Sequence, residues 1–241
     1  MQPIMKTILN LFGVLLIPFL VSAQIENQSS DLLEEVSNLT YATLNPENQV
    51  TSETFYEVTS SFNILSGKKV VLMAKEKPLE DPVNATYNYI EQDKHGMTLN
   101  IRNIVPAFMF DLYSNMQINL ASGDFQVPVA FNKDQLLPDI TLKISASITP
   151  IIHTLEYNLK ERRVVKKETV KTTAGTFECL VIESKTHFLP KSDKDGSLTQ
   201  WFAPGIGLIK QMHYDKNGVM TGLTLLTGIN TTEVSSGFAQ N

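Results

Sequence analysis

From residue 50 onward, apolar and polar side chains alternate with a period of two over much of the chain, the pattern of strands that bury one face. Tyr56, Val58, Ser60, Phe62 and Ile64 alternate with more polar neighbours, and Ser66-Gly67-Lys68 turns the chain back into Val70–Ala74. Thr86–Ile90 and Met97–Arg102 form a second pair around Asp93-Lys94-His95-Gly96. The cleanest alternation sets Ile140, Leu142, Ile144, Ala146 and Ile148 against Thr141, Lys143, Ser145 and Ser147. The sharpest local signal is Asn217-Gly218 between Leu208–Tyr214 and Val219–Leu226. Both turn residues accept the positive φ of a type I′ turn, so a two-residue hairpin is predicted. That turn sets Tyr214 opposite Thr221, Met212 opposite Leu223 and Lys210 opposite Leu225. Gln211 with Thr224 and His213 with Gly222 occupy the other, more polar face.

A second hairpin is predicted over Val164–Ser184. With Ala174-Gly175 as its tip, Lys171 falls opposite Glu178 and Lys166 opposite Glu183. Two stretches depart from alternation. Ser29 or Ser30 is a helix cap, which predicts a short helix over Asp31–Ser37 with acids in its first turn. Ile104–Tyr113 is almost continuously apolar, and it reads as a buried crossing segment or as an apolar flap over a cavity. Phe188–Leu198, with Pro190 and its Asp-Lys and Asp-Gly steps, is predicted to be a surface loop. About ten strands joined mostly by hairpins, with no strand–helix–strand spacing, predict a mainly β protein. Its expected form is a single antiparallel, strongly curved sheet, a half-barrel with one short N-terminal helix.

The first 23 residues change the picture of where this domain works. Lys6, the apolar run Ile8–Val21 and the small residues Val21-Ser22-Ala23 make a secretory signal cleaved before Gln24. The run is short and broken by Asn10, Gly13 and Pro18, which disfavours a membrane anchor, and no later stretch reads as a transmembrane span. The organisation predicted is a signal at 1–23, an N-terminal segment at 24–49, a β domain at 50–228 and a polar tail at 229–241. The location expected is periplasmic or secreted. Losing Lys6 takes the formal charge from −5 to −6, and that mild acidity argues against nucleic acid or anionic lipid surfaces as partners. Cys179 is the sole cysteine, so an exported chain has no internal disulfide and relies on its core. Within Phe177–Ile182, Cys179 reads as a small buried hydrophobe rather than a reactive thiol.

No reaction is legible. His95, His153, His187 and His213 lie far apart, and none has a second His or Cys at metal-ligand spacing. There is no Gly-x-Ser-x-Gly elbow and no phosphate-binding glycine loop. Asp193, Asp195 and Gly196 hint at a calcium loop, but Lys191 and Lys194 interrupt it and no glutamate closes it. The expectation is a non-enzymatic protein without metal or cofactor.

Three segments carry a resemblance. Asp134-Gln135-Leu136-Leu137-Pro138-Asp139, Thr173-Ala174-Gly175-Thr176-Phe177-Glu178-Cys179 and Trp201-Phe202-Ala203-Pro204-Gly205-Ile206-Gly207-Leu208-Ile209-Lys210 resemble, in order and spacing, motifs of the TapB-like group. These are bacterial secreted domains of unknown function. Lys133 stands where that group has Gly, and Thr173 where it has Pro. The resemblance covers most of residues 50–228 and implies a fold similar to the lipoprotein carriers LolA and LolB, curved around an apolar concavity. It brings no catalytic residues. A binder of an apolar molecule or lipid is therefore expected, with Tyr56, Phe62, Ile144, Ile148, Met212, Leu223 and Leu225 on the inner face. The ligand contacts expected are Phe108, Met109 and Phe110 on a flap with Met212, Leu223 and Leu225 beneath. The alternative is an envelope assembly module whose concave face takes a protein partner. Trp201, the only indole, is expected in the core.

Overall fold

A computed structural model of the chain describes residues 32–77, 86–100, 117–122, 125–148, 151–190 and 195–231. Thirteen strands form one sheet: β1 Val36–Leu44, β2 Val50–Ile64, β3 Gly67–Lys77, β4 Thr86–Asp93, β5 Gly96–Leu99, β6 Gln117–Ser122 and β7 Phe125–Pro128. They continue as β8 Ile140–Ile148, β9 Ile151–Thr172, β10 Gly175–Leu189, β11 Gly196–Ala203, β12 Gly207–Asp215 and β13 Met220–Thr231. The order across the sheet is β6-β8-β9-β10-β11-β12-β13-β1-β2-β3-β4-β5-β7, antiparallel at every pairing.

That order forces curvature. The two edge strands, β6 and β7, are consecutive in the chain, from Ser122 to Phe125. Three Cα steps of about 3.8 Å cannot separate them by more than about 11 Å. The sheet must therefore curl until its edges approach, giving a nearly closed barrel. Side chains confirm which face is inside. The rings of Phe125 on β7 and Phe202 on β11 lie 5.3 Å apart although their strands are distant in the sheet. A Cβ at Gly207 on β12 would stand 3.5 Å from Ile90 Cδ1 on β4. Val70, Leu72, Ile90, Leu99, Phe125, Val127, Leu142, Leu159, Ile182, Phe188, Leu198, Phe202 and Leu226 are buried, and they are the residues that make the alternation visible in the sequence.

The segment after β7 runs back along β9. Asp134 N donates to Val164 O (2.8 Å), Val164 N to Gln135 O (3.0 Å) and Leu137 N to Arg162 O (2.8 Å). Arg162, buried to 1% exposure, ties this strap to the free edge. Its Nη1 donates to Pro138 O (2.8 Å), its Nη2 to Gln126 O (3.0 Å), and its guanidinium lies 4.1 Å from the centre of the Phe125 ring. Burial pulls its pKa down to about 10, so it stays charged at neutral pH.

Several expectations need correction. Residues 32–35 form a turn, and Val36 already belongs to β1, so the short N-terminal helix is absent among the described residues. Tertiary pairing overrides the capping signal, because β1 fills the place between β13 and β2 and buries Val36, Leu39 and Ala42. Leu33 N also donates to Gly205 O (2.8 Å), which docks this turn on the β11–β12 bend. The β9–β10 tip is Thr173-Ala174, one residue earlier than predicted. Lys171 therefore faces Thr176, Lys166 faces Val181, and Glu178 faces Thr169, whose hydroxyl donates to its carboxylate. The cross-strand charge pairs made between β9 and β10 are Arg163–Glu183 (3.4 Å) and Glu161–Lys185 (2.7 Å). Of the Phe188–Leu198 stretch, Phe188 and Leu189 close β10 and Gly196–Leu198 open β11, while residues 191–194 lie outside the described residues. Asp195 serves the backbone, accepting from Phe188 N (2.8 Å) and contacting His187 Nδ1 (3.1 Å).

The β12–β13 register is found as expected at Lys210↔Leu225, Gln211↔Thr224, Met212↔Leu223 and His213↔Gly222. At the tip, Tyr214 faces Met220 instead of Thr221. The turn is longer than a type I′ turn. Gly218 N donates to Asp215 O (3.0 Å), Asp215 N to Val219 O (2.9 Å), and only Gly218 takes positive φ (+79°). This is a three-residue loop whose bulge lies at the glycine. Asp215 selects it, because its Oδ1 accepts from Asn217 N (2.8 Å) and Val219 N (2.9 Å).

Candidate functional site

The β12–β13 register also decides which face looks inward, and it inverts the expectation. Phe202 lies in the interior, and Leu208 pairs with it. Counting along the strands, the interior face carries Leu198, Gln200, Gln211, His213, Gly222, Thr224 and Leu226. Met212, Leu223 and Leu225 stand on the opposite, outer face and are half-buried there. Alternation alone could not separate these faces, because both carry apolar side chains. What decides is the neighbour set: Leu198, Phe202, Ile209 and Leu226 are fully buried, and Gln211 shares their enclosure. Of the other expected inner-face residues, Tyr56 is inside, its ring 5.5 Å from that of Tyr41 in an edge-to-face contact. Tyr41 itself donates its hydroxyl to Leu208 O (2.8 Å), and burial raises its pKa. Phe62 is 46% exposed on the projecting β2–β3 arm, outside the core. The side chains of Ile144 and Ile148, and all of Phe108, Met109 and Phe110, lie outside the described residues.

Among its apolar side chains the interior holds a polar cluster at a place where alternation alone assigned solvent. Gln200 and Gln211 are 0% and 2% exposed. Gln200 Nε2 donates to Gln211 Oε1 (2.6 Å), and Gln211 Nε2 lies 2.9 Å from His213 Nε2. An amide N–H can only donate, so His213 Nε2 accepts and the ring proton sits on Nδ1. The imidazole is thus neutral. Burial pushes its pKa down to about 4, in keeping with that tautomer. At the far end of this chain, Gln200 Oε1 is buried with no hydrogen-bond partner among the described residues, and so is Ser184 Oγ nearby on β10. Gly222 faces His213, and a Cβ built on it meets no described residue within 4 Å.

A pH dependence follows. The folded state holds His213 neutral down to about pH 4, whereas the unfolded chain binds a proton near pH 6.5. Between those values the unfolded state binds more protons, so stability is full above about pH 6.5 and falls as the pH drops towards 4. The loss expected is roughly 2–3 kcal/mol, reduced from the full shift because the ring is half-buried. Thermal melts of wild type and His213→Gln between pH 7 and 4 check this. The variant should show a flatter profile in that window, and parallel profiles would remove His213 from the account.

Other chemistry-bearing residues are structural. Cys179 is buried, and burial first, with Glu178 and Glu168 nearby, raises its pKa to about 12, which keeps the thiol protonated at neutral pH. Trp201 is buried on the outer side of β11. Its Nε1 donates to Glu168 Oε2 (3.2 Å), and Lys210 Nζ lies 4.6 Å from the ring centre. Hydrogen bonds from Lys166 and then from Trp201 hold the Glu168 carboxyl below its usual range. No helix among the described residues is long and apolar enough to cross a membrane.

A nearly closed antiparallel barrel defines the class, and solved structures share that fold. A Bacteroides fragilis protein described as exported, with a YmcC-like fold, is 19% identical; the match covers 80% of this chain and 95% of that one at a TM-score of 0.68. A Parabacteroides distasonis protein described as a lipoprotein is 20% identical, covering 83% and 97% at a TM-score of 0.69. Residues 34–226 match the DUF3108-like family profile, and the chain belongs to that family. Among curated proteins, none matches the chain.

Proposed function

We propose that this is an exported, non-enzymatic cell-envelope protein that binds an apolar or lipid-like molecule inside its curved sheet. The observation that carries the reading is the space beside Gly222 that no described residue fills, bordered by apolar Leu198 and Leu226 and by a buried acceptor with no partner among the described residues. The secretory signal at 1–23 supports the location, as do fold neighbours described as an exported protein and a lipoprotein. The analogy with the LolA and LolB carriers and the kinship with the TapB-like group belong to the same proposal.

The test is a titration of delipidated protein with a fluorescent fatty-acid or phospholipid probe. Binding should saturate and should weaken at least tenfold in Gly222→Phe, which fills the interior. Leu223→Arg, on the outer face, should leave it unchanged. Absence of saturable binding by the wild type would defeat the proposal. A second reading, an assembly module for an envelope partner, is favoured by one observation. The β2–β3 arm projects with Phe62 at 46% and Leu65 at 112% exposure.

A further inference from the structure

We infer that the interior recognises an uncharged, hydroxyl-bearing head group, so that the molecule bound is a neutral amphiphile of the monoacylglycerol kind rather than a fatty acid or a phospholipid. This rests on the proposed function and names the ligand class of the same interior. The geometry is directional. Gln200 donates to Gln211, and Gln211 donates to His213, so the chain ends at one side in a buried acceptor, Gln200 Oε1, with no partner among the described residues, and at the other in a donor, His213 Nδ1–H. A hydroxyl is both donor and acceptor, and it can satisfy either end. Ser184 Oγ, unpartnered among the described residues and 4% exposed, lies across Leu198 from His213 and adds a third group of the same kind.

Charge sets the class. The residues forming this part of the interior face are Ile182 and Ser184 on β10, Leu198 and Gln200 on β11, Gln211 and His213 on β12, and Gly222 and Thr224 on β13. His213 is the one titratable group among them, and it is held neutral by accepting from Gln211. The buried Arg162 lies at the β7 edge with both Nη atoms committed to Pro138 O and Gln126 O. A carboxylate or phosphate head seated against the interior face of these four strands would find no cation there, and an unpaired charge is costly in a low-dielectric interior. It would also offer only acceptors to Gln200 Oε1, itself an acceptor. An orphaned buried acceptor is costly, so a ligand hydroxyl that satisfies it is selected over an analogue that cannot.

The experiment is competition by 1-monooleoylglycerol, oleate and methyl oleate against the fluorescent probe at pH 7.5. These share one acyl chain and differ in the head. Monooleoylglycerol is expected to compete at least tenfold better than either of the others. In Gln200→Leu, checked for folding by its thermal melt, that advantage should shrink to under threefold while methyl oleate is unaffected. If the wild type binds all three equally, a water satisfies Gln200 and the head-group inference falls while the apolar-ligand reading stands. A preference for oleate would likewise overturn the inference alone. If none of the three competes and the probe does not bind, both fall. The comparison among ligands on wild-type protein decides the matter even where the variant fails to fold.

Discussion

Arg162→Ala is expected to destabilise the protein by roughly 3–5 kcal/mol, the largest effect of any single polar substitution proposed. The guanidinium is fully enclosed, and it bridges β9, the free edge strand β7 and the strap that follows β7. Removing it leaves the Pro138 and Gln126 carbonyls without those donors, and each charge-assisted bond of this kind contributes about 1.5–3 kcal/mol. The stacking on Phe125 is lost as well. Arg162→Lys should rescue less than half of the loss, because one ammonium cannot serve two separated carbonyls as the fork does. Denaturant unfolding measures the cost, and amide exchange in β7 and the strap should rise before the rest of the sheet. A lysine variant as stable as wild type, with β7 still protected, would mean that the barrel edge is held by something else.

Trp201→Ala carries the second large effect. The indole is 6% exposed and lies in the residue cluster that includes Val181, Ala203 and Cys179. Truncation of a buried aromatic of this size costs about 3–5 kcal/mol through lost burial and the cavity left behind. For a domain of this length that is a fall of about 10 °C in Tm. Trp201→Phe should lose only about 1 kcal/mol, the share of the hydrogen bond to Glu168, since the ring and its contact with Lys210 are kept in large part. A Trp201→Ala protein that melts like wild type would remove Trp201 from the core and leave the adjoining bend, with Gly205 and Gly207 at φ of +76° and +107°, to act alone.

The strands were legible because their periodicity is physical: Leu142, Val70 and Leu72 are apolar for the reason that they are buried. The register of the last hairpin was legible over four pairs, because Asn217-Gly218 confines the chain reversal to a few residues. Its type was not, since the choice of a bulged loop rests on the Asp215 carboxylate capping two amides, a contact outside the turn dipeptide. The N-terminal helix failed for another reason. Local capping chemistry is worth about 1 kcal/mol, which pairing along both edges of β1 readily exceeds.

The candidate site was the least legible part. Gln211 and His213 look like solvent-facing residues in a linear pattern, and only the partner strands show that Gln200 stands opposite Gln211 and satisfies its amide. Two glutamines at matched positions of strands joined by the Trp201–Lys210 bend were the available signal. Met212, Leu223 and Leu225 drew attention as apolar residues, yet they face outward. An interior that pairs its own polar groups reverses the usual reading of amphipathic alternation.

The central claim, that the sheet encloses an apolar molecule, is tested most directly by native mass spectrometry of the mature protein purified from its envelope without detergent. The account predicts a species heavier than the protein by a discrete lipid mass, lost on delipidation and lost in Gly222→Phe. A single peak at the protein mass, unchanged after incubation with lipid extract, would contradict it.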